Sequence, residues 1–598
     1  MTTTADTAAP PSADQLDASG APPRPAADTR AARDAAARAA LLAPFAALLS
    51  ACGAGSGEAG AASAAAVPAA APAHTVLMAS AVHVDAAPIS DTDAARFLAQ
   101  ASMGASRAQI ASVQQLGYAG WVDAQVALAP SQSRWDYLAG AGYKVIDNRN
   151  SEAGFDACAW RKLAAAPDTL RQRVTLALSE IMVVAIDGLV NTGWRAFSAA
   201  AYLDLLEANA FGNYRTLLGQ VSTSVPMGQF LTFRGNVKAN AATGSHPDEN
   251  YARELMQLFT IGLVQLNADG TPQLSNGQPS YTYGQDDVTG LARVFTGWDV
   301  DMGTGDATTP DFVRRPMRFI ASRHETGASS FLGHTIAAGT GGADAMGQAL
   351  DIIFAHPNVA PFVSRQLIQR LVTSNPSPAY VARVAAVFNN DGSGVKGNLK
   401  AVVKALLLDT EARQTSVALQ STTAGKMREP MLRFLAWARA WTVSSASDAW
   451  AIGNTSDPAT RLGQSPLRSP SVFNFFRPGY VPPNSGIAAA TLVAPEFQIT
   501  NESSVVGYVN YMQRVVAGSG SGDVKADYTS LLALADDAAA LLAEIVTVLA
   551  AGQVSAASQA LMLGALNSMP HATASARLNR VYAALTLVLA APEFIILK

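Results

Sequence analysis

The sequence predicts a mainly α-helical protein: one large multi-helix domain with at most a small β-hairpin, preceded by a disordered, Ala-rich N-terminal segment. Three observations predict this fold class. Apolar residues recur every three or four positions through most of the chain after residue 91, which is the period of an amphipathic helix. Hydrophobic residues make up 49% of the 598 residues, enough for a large core. Alternating, strand-like segments are sparse.

The chain begins with segments of low complexity. Residues 1–38 are rich in Ala, Pro, Asp and Thr, and residues 53–90 are Ala-rich with interspersed Gly, Ser and Pro. Neither composition can bury enough apolar surface to fold alone. We therefore divide the chain into a signal peptide with a long n-region (1–51), a flexible tether (52–90) and a folded domain (91–598).

The first Cys lies just after an apolar stretch. The segment AALLAPFAALLSACGAGSG has about a dozen apolar residues from Ala39, too few for a membrane span and the right length for a signal-peptide h-region. Leu-Ser-Ala before Cys52 resembles the bacterial lipobox, which predicts lipidation of Cys52. The alternative is a disordered tail with a chance Cys.

The helices are predicted in chain order from their caps and apolar spacing. Asp91 or Thr92 can cap the first helix, and Ser106 opens the next. Two tight-turn pairs, Asp-Gly and Asn-Gly, predict one hairpin within 267–283. The segment 517–527 is predicted to be a surface loop before a last helical pair. Further helical periods occur at 168–185, 201–221, 249–262, 286–298, 378–388, 398–413 and 429–441.

Charge and cysteine content exclude two classes of function. The formal net charge is −4, the pI is near 6.0 and no Lys or Arg run occurs, so nucleic-acid binding is not expected. With Cys52 and Cys158 as the only cysteines, one chain cannot build a disulfide framework or a thiolate metal cluster.

The folded part contains a series of recognisable stretches in order along the chain: ARFLAQASMGAS, LRQRVTLALSEIMVV, HPDENYARELMQLFTIGL, YTYGQDDVTGLARVFTGW, HPNVAPFVSRQLIQRLV, LGQSPLRSPSVFNFFRPGYVP and APEFQIT. With these stretches the chain resembles the bacterial DUF1800 family. The resemblance implies an exported, largely helical protein, often encoded beside a DUF1501 protein that is itself similar to sulfatases and alkaline phosphatases. It brings no set of catalytic residues.

One of these stretches, HPDENYARELMQLFTIG, is dense in ionisable groups. Asp248 or Ser245 can cap a helix here, and Glu249 and Arg253 lie four residues apart on one helix face. The stretch is therefore either a capped helix start or an acid–base site. In the second interpretation Glu249 or Glu254 is the acid or base, Arg253 orients an anion and His324 completes the site.

The same residues define the weaker alternatives. His246, Glu249 and Glu254, with His324 and Glu325 from a second segment, offer nitrogen and oxygen ligands for a metal, but no fixed ligand spacing such as HExxH is present. No Gly-x-Ser-x-Gly motif supports a serine hydrolase. The sequence identifies neither a metal nor any other cofactor.

Aromatic residues suggest a binding surface in two places. Trp298 ends a predicted helix, and a Pro-bounded loop collects several rings and an Arg. Such sets are typical of recognition surfaces, and also of loops pinned into a core by their rings. The candidate binding residues are Trp298, Phe473, Phe475, Phe476, Arg477 and Tyr480.

Together these observations predict an exported cell-envelope lipoprotein, periplasmic or in the outer membrane, held to the membrane by its lipid anchor only. We expect a binding or assembly protein that works with an exported partner, for example a DUF1501-type protein. The alternative is an envelope hydrolase or metal-assisted enzyme that uses Glu249, Arg253, Glu254 and His324. The sequence leaves open whether the protein is an enzyme.

Overall fold

The computed structural model describes residues 88–598. The predictions for the signal peptide, for Cys52 and for all but the last residues of the tether lie outside the described residues. The mainly α prediction is confirmed, since 54% of the residues are helical and 6% lie in strands. The folded part of the chain lies in one compact unit.

The helices of the described residues follow one another with short connections. The α-helices are α1 (Asp91–Ala101), α2 (Arg107–Ala127), α3 (Arg134–Gly140), α4 (Phe155–Ala165), α5 (Thr169–Ile181), α6 (Arg195–Ala208), α7 (Tyr214–Thr223), α8 (Val225–Phe230), α9 (Asn250–Glu254), α10 (Gln285–Val294), α11 (Gly342–Ala355), α12 (Val359–Leu371), α13 (Pro378–Asn389), α14 (Leu399–Leu408), α15 (Thr410–Arg413), α16 (Thr415–Gln420), α17 (Pro430–Ala440), α18 (Gly486–Ala489), α19 (Glu502–Val516), α20 (Thr529–Leu532), α21 (Ala538–Ala550), α22 (Ala556–Asn567), α23 (Ala574–Ala590) and α24 (Pro592–Ile595). A π-helix spans Leu255–Thr260, and 3₁₀ turns span Ile146–Asn148, Ile186–Thr192, Pro310–Arg314, Ala321–Arg323 and Pro495–Ile499.

Polar caps decide where the first helices begin. Ser90, one residue before the predicted caps, accepts a hydrogen bond from the backbone N–H of Asp93 at 3.1 Å and starts α1. Ser106 caps α2 as predicted by accepting from the N–H of Gln109. Each hydroxyl satisfies a donor that the first helical turn cannot pair.

Two predicted helices are each broken in two by a capping side chain. Within 201–221, Asn213 accepts from the N–H of Arg215 at 2.9 Å and starts α7 anew after α6 has ended. Within 398–413, Asp409 accepts from the N–H of Glu411 at 2.9 Å and separates α14 from α15. The helical spacing of apolar residues continues through each break, because the helices on both sides of it bury an apolar face.

The strands form five antiparallel pairs among the described residues. The predicted hairpin is confirmed, with Asn276 and Gly277 at φ 52° and 76° in its two-residue turn, as a type I′ turn requires. The predicted surface loop 517–527 is confirmed apart from a two-residue strand. The predicted last helical pair is wrong, because three helices of more than ten residues follow the loop. The pairs are β1 (Leu274–Ser275) with β2 (Gln278–Pro279), β3 (Trp298–Asp299) with β4 (Arg318–Phe319), β5 (Ser329–Phe331) with β6 (His334–Ile336), β7 (Lys426–Met427) with β10 (Ile596–Leu597), and β8 (Ser444–Ser445) with β9 (Val524–Lys525).

Helix α5 lies at the centre of the core. Every residue from Thr169 to Ile181 is buried, and the helix contacts α2, α4, α6 and α12. Because it has no solvent face, its polar residues are carried into the interior. Burial of charge there requires partners from the surrounding elements.

Within residues 88–598, no single helix is long and apolar enough to cross a membrane. One pair of helices, Thr169–Ile181 and Ile186–Thr192, is long and apolar enough only when the two are taken together. Their axes are bent by 75° at the break between them.

Candidate functional site

The charged stretch at Asp248 is a helix start with an ion pair. Asp248 Oδ1 accepts from the N–H of Asn250 at 2.8 Å, but the predicted N-cap is wrong by one residue, because Glu249 occupies that position and makes no side-chain cap bond. Glu249 and Arg253 form the predicted pair four residues apart, at 3.2 Å. The Glu249 carboxylate also accepts from Gln285 Nε2 at 2.7 Å and Thr289 Oγ1 at 2.8 Å. These bonds engage both of its oxygens on the face of α10.

Glu254 is in a different environment from Glu249. Its exposed fraction is 6%, and its Oε2 has no hydrogen-bond partner. Burial raises the pKa of Glu254 to about 7, against the opposing charge of Arg253. The residue ends α9, directly before the π-helix Leu255–Thr260. π-Helical turns occur frequently at functional sites, and a buried carboxyl with a pKa of about 7 has the properties of an acid or base at neutral pH.

His324 lies apart from these residues. Its Nδ1 is 2.9 Å from the backbone oxygen of Thr296 and 3.2 Å from the Thr296 hydroxyl, and its ring packs edge-on against Phe319 at 5.0 Å. In the part of the chain that the structure describes, His324 makes no hydrogen bond or ion pair with Glu249, Arg253 or Glu254. The structure thus joins Glu249 to Arg253 and leaves His324 with Thr296.

The predicted metal ligands are likewise dispersed. Glu325 pairs with Arg293 at 3.4 Å, and His246 is exposed. Across residues 88–598 there is no group of three or more His, Cys, Asp or Glu side chains arranged to hold a metal ion.

Trp298 does not present its ring to solvent. It lies in β3 with an exposed fraction of 6%, and its indole packs against Phe319, with ring centroids 5.6 Å apart. Any exposed aromatic surface among the candidate binding residues must therefore come from residues 473–480, which we call the aromatic loop.

The aromatic loop has a buried anchor and an accessible rim. Phe476 is 2% exposed and lies over the guanidinium of Arg370, 4.8 Å from it. Arg477 is exposed and stacks on Phe473 at 4.6 Å, while Phe473, Phe475 and Tyr480 are partly exposed. The sequence placed all these residues in one loop, and the structure divides them between core and surface.

Sequence reasoning missed a group of charged residues in the core, here called the buried ionic cluster. It joins α5, α12, β7 and two later segments. Lys426 Nζ lies 3.0 Å from Glu496 Oε1 and 4.0 Å from Glu429 Oε1, and Arg370 Nη1 lies 3.2 Å from Glu180 Oε2. The cluster consists of Arg173, Glu180, Arg370, Lys426, Glu429 and Glu496, all of them buried.

Two carboxyl groups of the cluster lie within hydrogen-bonding reach of each other. Burial and the charge of Glu429 raise the pKa of Glu180 well above its ordinary value. Burial also opposes ionisation of Glu429, but the hydrogen bond from Glu180 and the charges of Lys426 and Arg173 hold its pKa below the ordinary value. Since the two shifts are opposite, Glu180 takes up a proton more readily than Glu429 does.

A signal for this cluster was present in the sequence. Arg173 and Glu180 are opposite charges seven residues apart in α5. That spacing puts them on one face, two turns apart. The helix also carries Arg171, Gln172 and Thr175, so its burial on all sides is decided by the packing of the surrounding helices and not by its own sequence pattern.

The cavities lie away from the predicted catalytic residues. The largest of those described, about 370 Å³, is a cleft lined by Tyr202, Gln220, Arg314 and Arg315 among others, with no acid or His in its wall. A cavity of about 30 Å³ lies between Glu180 and the aromatic-loop residues Asn474 and Phe475. A third, of about 20 Å³, is lined by cations of the buried ionic cluster.

Comparisons with known proteins gave one match. A family model described as "Protein of unknown function (DUF1800)" matches residues 96–596. No curated protein and no solved structure matches the chain.

Proposed function

The chain belongs to the DUF1800 family, and we propose that this protein is an exported cell-envelope lipoprotein. It binds an exported partner through its aromatic loop. One observation carries the proposal: the aromatic loop is anchored in the core by Phe476 and presents Arg477 stacked on Phe473 at the surface.

The anchoring fixes the loop before any partner arrives. Phe476 contacts Arg370 of the buried ionic cluster, the N–H of Arg477 donates to Gln498 Oε1 at 2.9 Å, and the N–H of Ala494 donates to the Tyr480 oxygen at 2.8 Å. A loop that is already ordered loses little conformational entropy on binding. This rigidity favours recognition over a purely connecting role.

The accessible rim has the composition of a binding hot spot. Arg and Tyr are enriched among residues that dominate binding energy, and a ring beneath a guanidinium adds a cation–π contact. Arg477, Phe473 and Tyr480 provide one cation and two rings. They suit a partner surface with a carboxylate beside an apolar patch, and a DUF1501-type exported protein is the candidate that the family resemblance provides.

The predicted catalytic residues argue less strongly for an enzyme. Glu249 is engaged by Arg253, Gln285 and Thr289, and His324 is held by Thr296. The cleft of about 370 Å³ is of small-ligand size but has no acid or His in its wall.

The partner interaction can be tested with matched variants. We expect R477A and F473A to weaken binding to a purified DUF1501 protein from the same organism at least tenfold by isothermal titration calorimetry. R314A is the control, because Arg314 is also exposed and also stacks on a ring, that of Trp135 at 4.5 Å. Unchanged affinity for R477A and F473A, or loss of binding in R314A alone, would contradict the proposal.

Export and lipidation rest on the h-region and on Leu-Ser-Ala before Cys52. Mass spectrometry of the mature N-terminus from envelope fractions should find diacylglycerol on Cys52. The C52S variant should lose membrane association. An intact Met1 in envelope material would rule out this anchor.

A second function, an envelope hydrolase, is favoured by Glu254 alone. A carboxyl group with a pKa of about 7 exchanges protons at neutral pH, as a general acid or base must. If this function is correct, hydrolysis in a screen of envelope esters and phosphoesters should fall at least 100-fold in E254Q and stay near wild type in E249Q. Equal rates for wild type and E254Q would exclude it.

A further inference from the structure

The third cavity is walled by buried cations. It measures about 20 Å³, and its lining contains Arg173, Lys426 and Arg428 with no carboxylate. The rest of the wall is mainly apolar and comes from α1, α12, α17 and the C-terminal strand β10, through residues such as Ala99, Leu371, Leu432 and Leu597. The cavity thus lies where the two ends of the folded chain meet the core.

The three cations are almost fully removed from water. Their exposed fractions are 1% for Arg173, 4% for Lys426 and 5% for Arg428. Burial lowers the pKa of Arg428 to about 10 and also lowers the pKa of Arg173. At neutral pH both guanidinium groups are still charged, so the wall of the cavity is positive.

Several N–H groups in this wall have no partner. Arg173 donates through Nη2 to the Arg370 oxygen, and Arg428 donates through Nη1 to the Leu549 oxygen at 3.0 Å. Within residues 88–598, Arg173 Nε and Nη1 and Arg428 Nε and Nη2 make no hydrogen bond. Buried donors left unpaired are rare and costly. Lys426 is better satisfied, since its Nζ donates to the oxygens of Gln369 and Arg370.

The surrounding acids do not balance the positive charge. The core region holds the cations Arg173, Arg370, Lys426, Arg428 and Arg433 and the acids Glu180, Glu429 and Glu496. Even with all three acids ionised, five cations face three carboxylates. Among the described residues no ion pair joins Arg428 to a carboxylate, and its guanidinium lies over the ring of Phe594 at 4.7 Å. A buried excess of positive charge is strongly unfavourable without a counter-ion.

We infer that this cavity binds one small monovalent anion of the size of chloride or bromide, held by the free N–H groups of Arg173 and Arg428 beside the ammonium of Lys426. A water needs about 10–15 Å³ of such space, and about 20 Å³ leaves little room for a tetrahedral oxyanion. A water would accept hydrogen bonds but bring no charge, whereas a halide supplies both the acceptor and the missing negative charge.

A bound anion would link separate elements of the core to one another. The anion would connect α5 through Arg173 to Lys426 of β7 and to Arg428, the residue after that strand, against walls from α1 and β10. Folding and halide binding are then linked, because only the folded chain assembles the site. This inference does not depend on the proposed partner or on lipidation.

Diffraction and thermal unfolding test the inference on the full chain. Crystals grown or soaked in bromide should show an anomalous peak between Arg173 and Arg428 at the bromine edge. In solution, protein dialysed extensively into sodium gluconate should gain roughly 2–4 °C in Tm, saturably, as sodium chloride replaces gluconate at constant ionic strength.

Two variants and a control separate this site from general salt effects. R428M and K426M should lose the chloride-dependent gain in Tm. R580M should keep it, because Arg580 is equally buried, donates to the Ala535 and Met569 oxygens and lines none of the cavities described above. If R428M or K426M does not fold, the bromide experiment on the wild type still decides. Absence of an anomalous peak, or an equal chloride effect in R428M and wild type, would overturn the inference.

Discussion

The carboxyl groups of Glu180 and Glu429 interact in the buried interior, where burial and the charge of Glu429 raise the pKa of Glu180, while neighbouring groups hold the pKa of Glu429 below its ordinary value. Their partners differ accordingly. Glu429 Oε2 accepts from Gln464 Nε2 at 2.7 Å, and Glu429 lies next to Lys426. One member of the pair therefore acts as a neutral donor and the other as the anion that the surrounding cations need.

This asymmetry predicts opposite outcomes for two isosteric substitutions. In E180Q the amide replaces the protonated carboxyl as donor, and we expect a loss of less than about 1 kcal/mol. In E429Q the cations lose an anion, and we expect a loss of about 3–5 kcal/mol. Free energies of unfolding from denaturant titration at pH 7 provide the comparison. Equal losses for both variants would show that the proton is not held on Glu180.

The division of the aromatic loop predicts a second contrast. F476A removes a ring that is 2% exposed and should cost about 3–5 kcal/mol. F473A removes a partly exposed ring and should cost less than about 1 kcal/mol. The same denaturant titrations measure both values. A loss in F473A as large as that in F476A would mean that the rim of the loop is structural and not free for a partner.

Glu254 predicts a pH dependence of stability. Burial raises its pKa from 4.5 to about 7 in the folded state, so the folded chain binds this proton more tightly than the unfolded chain. The stability that this proton adds to the folded state is present in full below pH 4.5. It is lost as the pH rises to about 7, so the free energy of unfolding falls by about 3 kcal/mol. E254Q should abolish this fall between pH 4.5 and 8. E249Q, five residues earlier and partly exposed, should retain it. Identical profiles for wild type and E254Q would refute the assignment.

Gly290 predicts a strict size limit where α10 meets β5. A Cβ there would lie 1.9 Å from the backbone oxygen of Ser330, and neither backbone can move cheaply, so G290A should cost about 3 kcal/mol or more. Gly347 lies inside α11, and a Cβ there would meet nothing within 4 Å. G347A should therefore gain about 0.5–1 kcal/mol. Thermal unfolding of the two variants checks both signs, and a stable G290A would contradict this packing.

The helices and the hairpin were predictable because their signals are local. Ser106 caps α2 by a bond to a residue three positions away, and the hairpin turn depends on Asn276 and Gly277 alone. The breaks at Asn213 and Asp409 were missed, since the apolar period runs on through them. Those side chains compete with the helix by accepting from backbone N–H groups two residues ahead.

The candidate site was predictable only in its local part. The ion pair of Glu249 and Arg253 follows from helical spacing. The position of His324, 70 residues from Glu254 in sequence, depends on how β3, β4 and the following 3₁₀ turn pack, and they place it beside Thr296. Burial of Trp298 is decided in the same way, by Phe319 on the neighbouring strand.

The sequence by itself determined the helical class, most helix positions, the hairpin, the ion pair of Glu249 and Arg253 and the family. The structural features among these depend on residues within a few positions of one another. Only the tertiary structure decided that Phe476 is an anchor while Arg477 is accessible, that Glu180 meets Glu429, and that Arg173 and Arg428 face one cavity. Those relationships join residues more than 100 positions apart, or depend on which side of a loop meets the core, and no local period or motif encodes them.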